Sequence, residues 1–79
     1  MIIAEVFPKD DYTLFVRAEN GETGWFDVKP YLDAEAFSAL KSGDEFGRTR
    51  NGGYFVEWEC GADLSANTIL ARWWVVSAA

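Results

Sequence analysis

The first third of the chain alternates hydrophobic and polar residues in short runs, a pattern typical of β-strands. It predicts strands over residues 2–7, 12–18 and 23–28. Residues 8–11 (Pro-Lys-Asp-Asp) indicate a turn, and the Asn20-Gly21 pair is a strong hairpin signal, because such a turn needs left-handed backbone conformations. We therefore expect these strands to form an antiparallel meander.

Helical spacing replaces alternation after the third strand. Phe37 and Leu40 fall on one face of a helix that the pattern predicts over residues 34–41. Asp33 is a candidate N-cap for that helix, and Gly43 is a candidate for the position just beyond its C-terminus. The helix is expected to have about two turns.

The second half of the chain repeats the strand-then-helix order. Strands are predicted over residues 44–49 and 54–59, joined by the Asn-Gly-Gly turn at 51–53, and a helix is predicted over residues 66–74. Residues 71–79 form a tail of uncertain structure, in which Val75 and Val76 either extend the helix or form a short strand. The order β-β-β-α-β-β-α predicts one α+β domain over residues 1–79, with an antiparallel sheet of about five strands and two short helices.

Residues 60–65 join the last predicted strand to the last helix. Gly61 is expected to adopt a backbone conformation that a Cβ atom would strain. Asp63 or Ser65 is expected to cap the helix by accepting hydrogen bonds from its free amide groups. Gly61 and Asp63 are therefore interpreted as a structural joint, and the neighbouring Cys60 as a small residue that is buried or half-buried at a strand end.

Composition excludes most familiar catalytic chemistry. The chain of 79 residues has no histidine and one cysteine, so zinc sites, Ser-His-Asp triads and Cys-His pairs are not expected. No glycine-rich segment has the spacing of a phosphate-binding loop. Three carboxylates, Glu57, Glu59 and Asp63, leave open a metal-dependent enzyme, against the simpler interpretation of a solvated sheet face. We expect no enzymatic activity and no cofactor.

Charge and hydropathy limit the kinds of partner and the cellular location that we expect for this protein. The net charge of −6 and the pI of about 4.4 disfavour direct binding to nucleic acid. The longest uninterrupted apolar run, residues 73–76, is far shorter than a membrane span, and the N-terminus lacks the features of a signal peptide. A single cysteine fits a reducing compartment, so a cytoplasmic protein is expected.

Several segments together resemble a known family over roughly residues 2–70. They are Pro8, residues 11–14 (Asp-Tyr-Thr-Leu), 20–22 (Asn-Gly-Glu), 26–28 (Phe-Asp-Val) with 30–32 (Pro-Tyr-Leu), Phe37 with Leu40, Phe46, and 58–65 (Trp-Glu-Cys-Gly-Ala-Asp-Leu-Ser). On these residues the chain resembles the domain of unknown function 2442 family of small bacterial proteins. The resemblance implies a compact antiparallel α+β fold and no established catalytic residue.

The same resemblance implies two kinds of partner. Some longer relatives carry a helix-turn-helix segment, for which the given chain leaves no room after Ala79, so direct DNA binding is again not expected. Others are encoded beside a second small protein, in arrangements that suggest toxin–antitoxin pairs. An antitoxin-like role is therefore one expectation that comes from the family.

Aromatic residues are the strongest pointer to a contact surface. They make up 16% of the chain, and adjacent Trp73 and Trp74 cannot both lie on one buried helical stripe. The residues predicted to contact a partner are Trp25, Trp58, Trp73 and Trp74. The leading hypothesis is a non-enzymatic protein-interaction module that acts as a homodimer or with a small partner protein. The alternative is an accessory domain that binds a small molecule in an aromatic pocket, although no particular small molecule is indicated.

Overall fold

Two antiparallel sheets form the framework of the protein. The computed structural model describes residues 1–77. The four-stranded sheet has the order β1-β2-β3-β7, and its strands are β1 (Ile3–Lys9), β2 (Thr13–Ala18), β3 (Thr23–Asp27) and β7 (Trp74–Ser77). The three-stranded sheet has the order β4-β5-β6, and its strands are β4 (Thr49–Asn51), β5 (Phe55–Trp58) and β6 (Asp63–Ser65).

Short helices fill the connections between these strands. The α-helices are α1 (Gly43–Phe46) and α2 (Ala66–Arg72), and 3₁₀ segments cover Asp10–Tyr12, Lys29–Tyr31 and Glu35–Lys41. The α+β class with antiparallel sheets is confirmed, whereas the single sheet of about five strands is wrong. None of the helices within residues 1–77 is long and apolar enough to span a bilayer.

The meander β1-β2-β3 has the predicted antiparallel pairing. Its second turn differs in type from the expectation. The Ala18 amide donates to the Glu22 carbonyl, and the Gly21 amide donates to the Ala18 carbonyl, so the loop is the three residues 19–21. Only Gly21 is left-handed there, with φ of 94°, as in a type I turn followed by a glycine bulge.

The same turn occurs at residues 59–61 and creates a strand that the pattern did not predict. The Trp58 amide donates to the Ala62 carbonyl, and the Gly61 amide donates to the Trp58 carbonyl. Gly61 has φ of 97°, in the region where a Cβ atom is strained. The chain therefore reverses into β6 rather than passing directly from β5 to the last helix.

Residues 34–49 depart most from the sequence prediction. The segment Glu35–Lys41 is a 3₁₀ helix rather than an α-helix, and Ala34 occupies its N-cap position instead of Asp33. The strand predicted over residues 44–49 is wrong, because Gly43–Phe46 forms one α-helical turn. That turn places Phe46 in the core, and the other residues of the turn do not alternate between buried and exposed positions as those of a strand would.

A single apolar cluster lies between the sheets and the helices. Its members are at most 9% exposed: Ile3, Leu14, Val16, Phe26, Val28, Leu32, Leu40, Phe46, Val56, Trp58, Ala62, Leu64, Ala66 and Ile69. The inner face of β2 and β3 supplies Leu14, Val16 and Phe26, as alternation requires. The other face of the same strands is left outside the core.

Asn51, at the end of β4, fixes the two sheets to each other. Its side-chain amide donates to the backbone carbonyls of Ile3 (2.9 Å) and Ala4 (3.2 Å), and its Oδ1 accepts from the Gly53 amide (2.8 Å). The Gly53 carbonyl in turn accepts from the Ile3 amide at 2.8 Å. The β4-β5 hairpin tip is thereby attached to the start of β1.

Candidate protein-contact site

The outer face of the four-stranded sheet, the side turned away from the core, carries one aromatic residue from each strand. In the register of the sheet Phe7 pairs with Phe15, Phe15 with Trp25, and Trp25 with Trp74. Paired residues of an antiparallel sheet lie on the same side. Phe7, Phe15, Trp25 and Trp74 therefore form a row across all four strands, which we call the aromatic face.

Ring contacts tie part of this row together. The Phe15 and Trp25 rings meet edge to face with centroids 4.9 Å apart, and Phe7 lies 6.5 Å from Phe15. Such pairs favour a defined ring arrangement over free rotation. Phe7 and Trp74, at the two ends of the row, are 39% and 52% exposed. The aromatic face is thus an ordered apolar surface that is open to solvent.

Charged residues flank the aromatic face in equal numbers of each sign. On one side Glu5 and Arg17 form an ion pair, and on the other Lys9 and Asp27 lie in one row with Thr13 between them. Lys9 also places its ammonium group 5.7 Å from the Phe7 ring centroid. The outer face therefore carries two positive and two negative side chains, and is locally neutral on a chain whose net charge is −6.

The two edges of the four-stranded sheet differ. Along β1 the Asn51 side chain and the Gly53 carbonyl occupy backbone groups, a register shift lies between Ile3 and Glu5, and Pro8 and Lys9 end the strand. These devices discourage pairing with another chain. Strand β7 has a register shift between Val75 and Ser77, but it contains no proline or charge, and within residues 1–77 it pairs only with β3.

The predicted contact residues divide into two pairs. Trp25 and Trp74 are neighbours on the aromatic face. Trp73 is half-buried against the core, and its ring lies over Gly24, where a Cβ atom would come within 2.7 Å of Trp73 Cε3. Trp58 is 1% exposed and donates its indole N–H to the Phe46 carbonyl at 2.9 Å, so it has no surface to offer a partner.

The tail that the sequence left open is mostly a strand. Trp74–Ser77 forms β7, and Val75 and Val76 are 48% and 57% exposed. Ala78 and Ala79 lie outside the described residues. The helix α2 ends at Arg72 rather than at Trp74.

The carboxylates considered as a metal site lie on the three-stranded sheet. Glu57 is opposite Asp63 in the β5-β6 pairing and has an Arg50 guanidinium 3.7 Å away, whereas Glu59 is in the following turn. Residues 1–77 contain no cluster of three or more carboxylate or thiol groups arranged to hold a metal ion. The arrangement is that of a solvated sheet face with one ion pair.

Asp63 does not cap α2, because it is paired in β6, two residues before the N-cap. Ser65 is the cap, and its Oγ accepts from the Thr68 amide at 3.1 Å. The expectation that Cys60 is buried or half-buried is wrong, since its position in the turn after β5 leaves it exposed. Its amide donates to Glu45 Oε2, which ties that turn to α1.

Two surface depressions are candidates for a ligand site. One, of about 240 Å³, is lined by Met1, Ile2, Ala18, Glu19 and Asn20. The other, of about 230 Å³, is lined by residues that include Tyr12 and Phe46. Both are smaller than the ~300 Å³ at which ordinary ligand pockets begin. No residue of the aromatic face lines either depression, because the aromatic face is an open sheet surface and not a cavity.

Phe7 and Phe15 are not among the predicted contact residues, although part of the signal is present in the sequence. Alternation already placed Phe15 on the face opposite Leu14 and Val16. The predicted two-residue turn at Asn20-Gly21 would pair Phe15 with Phe26, and only the observed three-residue turn pairs Phe15 with Trp25, so the full row follows from the structure.

Of the comparisons with known proteins, the one with family profiles confirms the family resemblance. No curated protein and no solved structure matches this chain. The profile of one family matches residues 3–73, which cover both sheets except β7 and include Gly24, Asn51 and the Gly61 turn. The chain belongs to the family described as "Protein of unknown function (DUF2442)".

Proposed function

We propose that this protein is a non-enzymatic interaction module that acts by binding another protein chain through its aromatic face. The observation that carries the proposal is the row of Phe7, Phe15, Trp25 and Trp74 on a locally neutral surface of an acidic chain. Aromatic residues are enriched at protein interfaces and charges are depleted at their centres. The aromatic face has both properties.

The alternative of a small-molecule accessory domain has less support. Its aromatic pocket would need aromatic side chains around a concave space, and the depression of about 240 Å³ has none, while that of about 230 Å³ has only Tyr12 and Phe46. A thermal-shift screen addresses this alternative, because a ligand at 100 times its Kd adds about 2.7 kcal/mol of stability.

The partner is a second copy or a small protein. An antitoxin-like role belongs to the second case. The test is co-expression of the full chain with the protein encoded beside it, followed by mass measurement of the purified species. We expect a species heavier than the 8.9 kDa monomer, either a homo-oligomer or a complex.

Matched variants assign that species to the aromatic face. Phe7→Ser removes an exposed ring from the row, and Tyr54→Ser removes a ring that is 69% exposed in the turn before β5. We expect Phe7→Ser to weaken partner binding and Tyr54→Ser to leave it unchanged. A wild-type protein that stays monomeric at high concentration and binds no neighbour would contradict the proposal.

A further inference from the structure

We infer that β7 is a pairing edge for a second copy of this chain, so that two four-stranded sheets join into one continuous sheet. The inference goes beyond the proposed function, because it concerns a strand edge and leaves the aromatic face free to bind another chain. It commits to a second copy as the occupant of this edge.

The first argument is the contrast between the two sheet edges. The protein covers the edge of β1 with Asn51 and Gly53 and places Lys9 and Pro8 in that strand. Such features are the usual protection of an exposed edge. The strand β7 runs Trp-Val-Val-Ser with no charge and no proline, and its Trp74, Val75 and Val76 are about half exposed. An edge of this kind is a template for another strand.

The second argument is electrostatic. Two copies of a chain with net charge −6 repel each other unless the contact avoids the acidic surface. Strand β7 carries no charge, and Asp27, the one charged residue of the adjoining strand β3, has the Lys29 ammonium group 3.1 Å away. This region therefore offers another copy of the acidic chain an approach without local net charge.

The third argument is geometric. An antiparallel strand pairs with its own copy about a two-fold axis, which gives a self-complementary contact. Residues that oppose each other in a sheet lie on the same face. The axis must therefore pass midway between one residue and the same residue of the second copy, because any other centre would oppose residues from different faces. Centring it on Val75 places Trp74, which lies on the outer face, opposite Val76 of the second copy, next to the register shift of β7. The two aromatic faces then lie side by side on one surface.

The small size of the β7 contact limits the affinity of the dimer. An edge of four residues buries far less than the ~800 Å² per partner of a stable interface. We therefore expect a weak dimer whose population rises with protein concentration.

The experiment is sedimentation equilibrium of the full chain over a range of concentrations. Wild type is expected to show a reversible monomer–dimer equilibrium. Val76→Lys places a charge at the pairing edge and is expected to weaken dimerisation at least about tenfold. Tyr54→Lys makes the same change in charge in the turn before β5 and is expected to dimerise as wild type does. Circular dichroism verifies that each variant is folded, and Val75→Lys replaces Val76→Lys if the latter is not.

The outcomes separate this inference from the proposed function. A wild type that is monomeric throughout, or a Val76→Lys protein that dimerises normally, overturns the edge pairing. Loss of the dimer in Tyr54→Lys also overturns it, because charge alone would then be the cause. Phe7 lies three strands from the edge, so its change to Ser is expected to spare the dimer. A dimer that Phe7→Ser abolishes would support the aromatic face as the contact and overturn the edge.

Discussion

The attachment of the two sheets through Asn51 is open to a direct test. Asn51→Ala removes the hydrogen bonds to the carbonyls of Ile3 and Ala4 and the bond from the Gly53 amide. The Ile3 carbonyl belongs to a residue that is 2% exposed, so water replaces this bond poorly. The Gly53 carbonyl that accepts from the Ile3 amide also loses its positioning.

The magnitude follows from the number and burial of these bonds. A hydrogen bond contributes a net 0.5–1.5 kcal/mol, and only the bond to Ile3 is partly buried, whereas those to Ala4 and from Gly53 are exposed, so we expect a loss of about 2 kcal/mol. A domain of this size has roughly 3–5 kcal/mol of stability, so the urea midpoint should fall by roughly half at unchanged m-value.

Equilibrium urea unfolding followed by tryptophan fluorescence is the assay, since Trp58 is buried in the folded protein. Asn20→Ala is the matched control. Asn20 is also followed by glycine in a hairpin, but it bonds only to the exposed Glu22 amide and side chain, so its loss should cost about 0.5 kcal/mol or less. Asn51→Asp keeps the shape and the Oδ1 acceptor but directs an oxygen at two carbonyls, and should destabilise at least as much as Asn51→Ala. Equal stabilities for Asn20→Ala and Asn51→Ala would refute the reasoning.

Further predictions concern local features of the fold. Gly24→Ala is expected to destabilise by about 1–3 kcal/mol in thermal or urea unfolding, because its Cβ would collide with the Trp73 ring. Ser65→Ala should cost about 1 kcal/mol by loss of the α2 cap, whereas Asp63→Ala should change stability by less than about 0.5 kcal/mol. Cys60 should react fully with a disulfide reagent in the native protein, because it is exposed.

Each of these has a control or a contrary result. Gly43→Ala adds a methyl group where no atom lies within 4 Å, so it should leave stability unchanged or slightly raised. An Asp63→Ala protein that is less stable than the Ser65→Ala protein would contradict the assignment of the α2 cap to Ser65. A Cys60 thiol that reacts only after denaturant is added would contradict its exposed position.

The meander was predictable because its signals are local. Alternation in residues 12–18 and 23–28 fixes which side chains face the core, and the Asn20-Gly21 pair marks the turn between them. Helix α2 began where the pattern placed it, at Ala66 after the Ser65 cap. These features depend on residues that are close in the sequence.

The division into two sheets was not predictable in this way, because it depends on contacts across the chain. The β4-β5 hairpin pairs with β6 rather than with the meander, and its tip is held to Ile3 by Asn51, which lies 48 residues away. Likewise, Phe46 is buried by Tyr12 and Trp58, and those contacts favour a helical turn where local propensity suggested a strand.

The candidate site shows the same limit. Trp74 was selected because two adjacent tryptophans cannot share one helical stripe, although the segment is a strand. Trp58 is predicted as a contact residue because it belongs to the aromatic surplus, and the contact with Phe46 that buries it joins residues 12 apart. The aromatic face emerges only when the registers of β1, β2, β3 and β7 are known.

Hydrogen–deuterium exchange of the β7 amides, measured at high and at low protein concentration, tests the central claim most directly. If this chain associates through the β7 edge, the amides of Trp74–Val76 that point away from β3 should exchange more slowly at high concentration, while those of β1 should not change. Exchange in β7 that is independent of concentration would contradict the account.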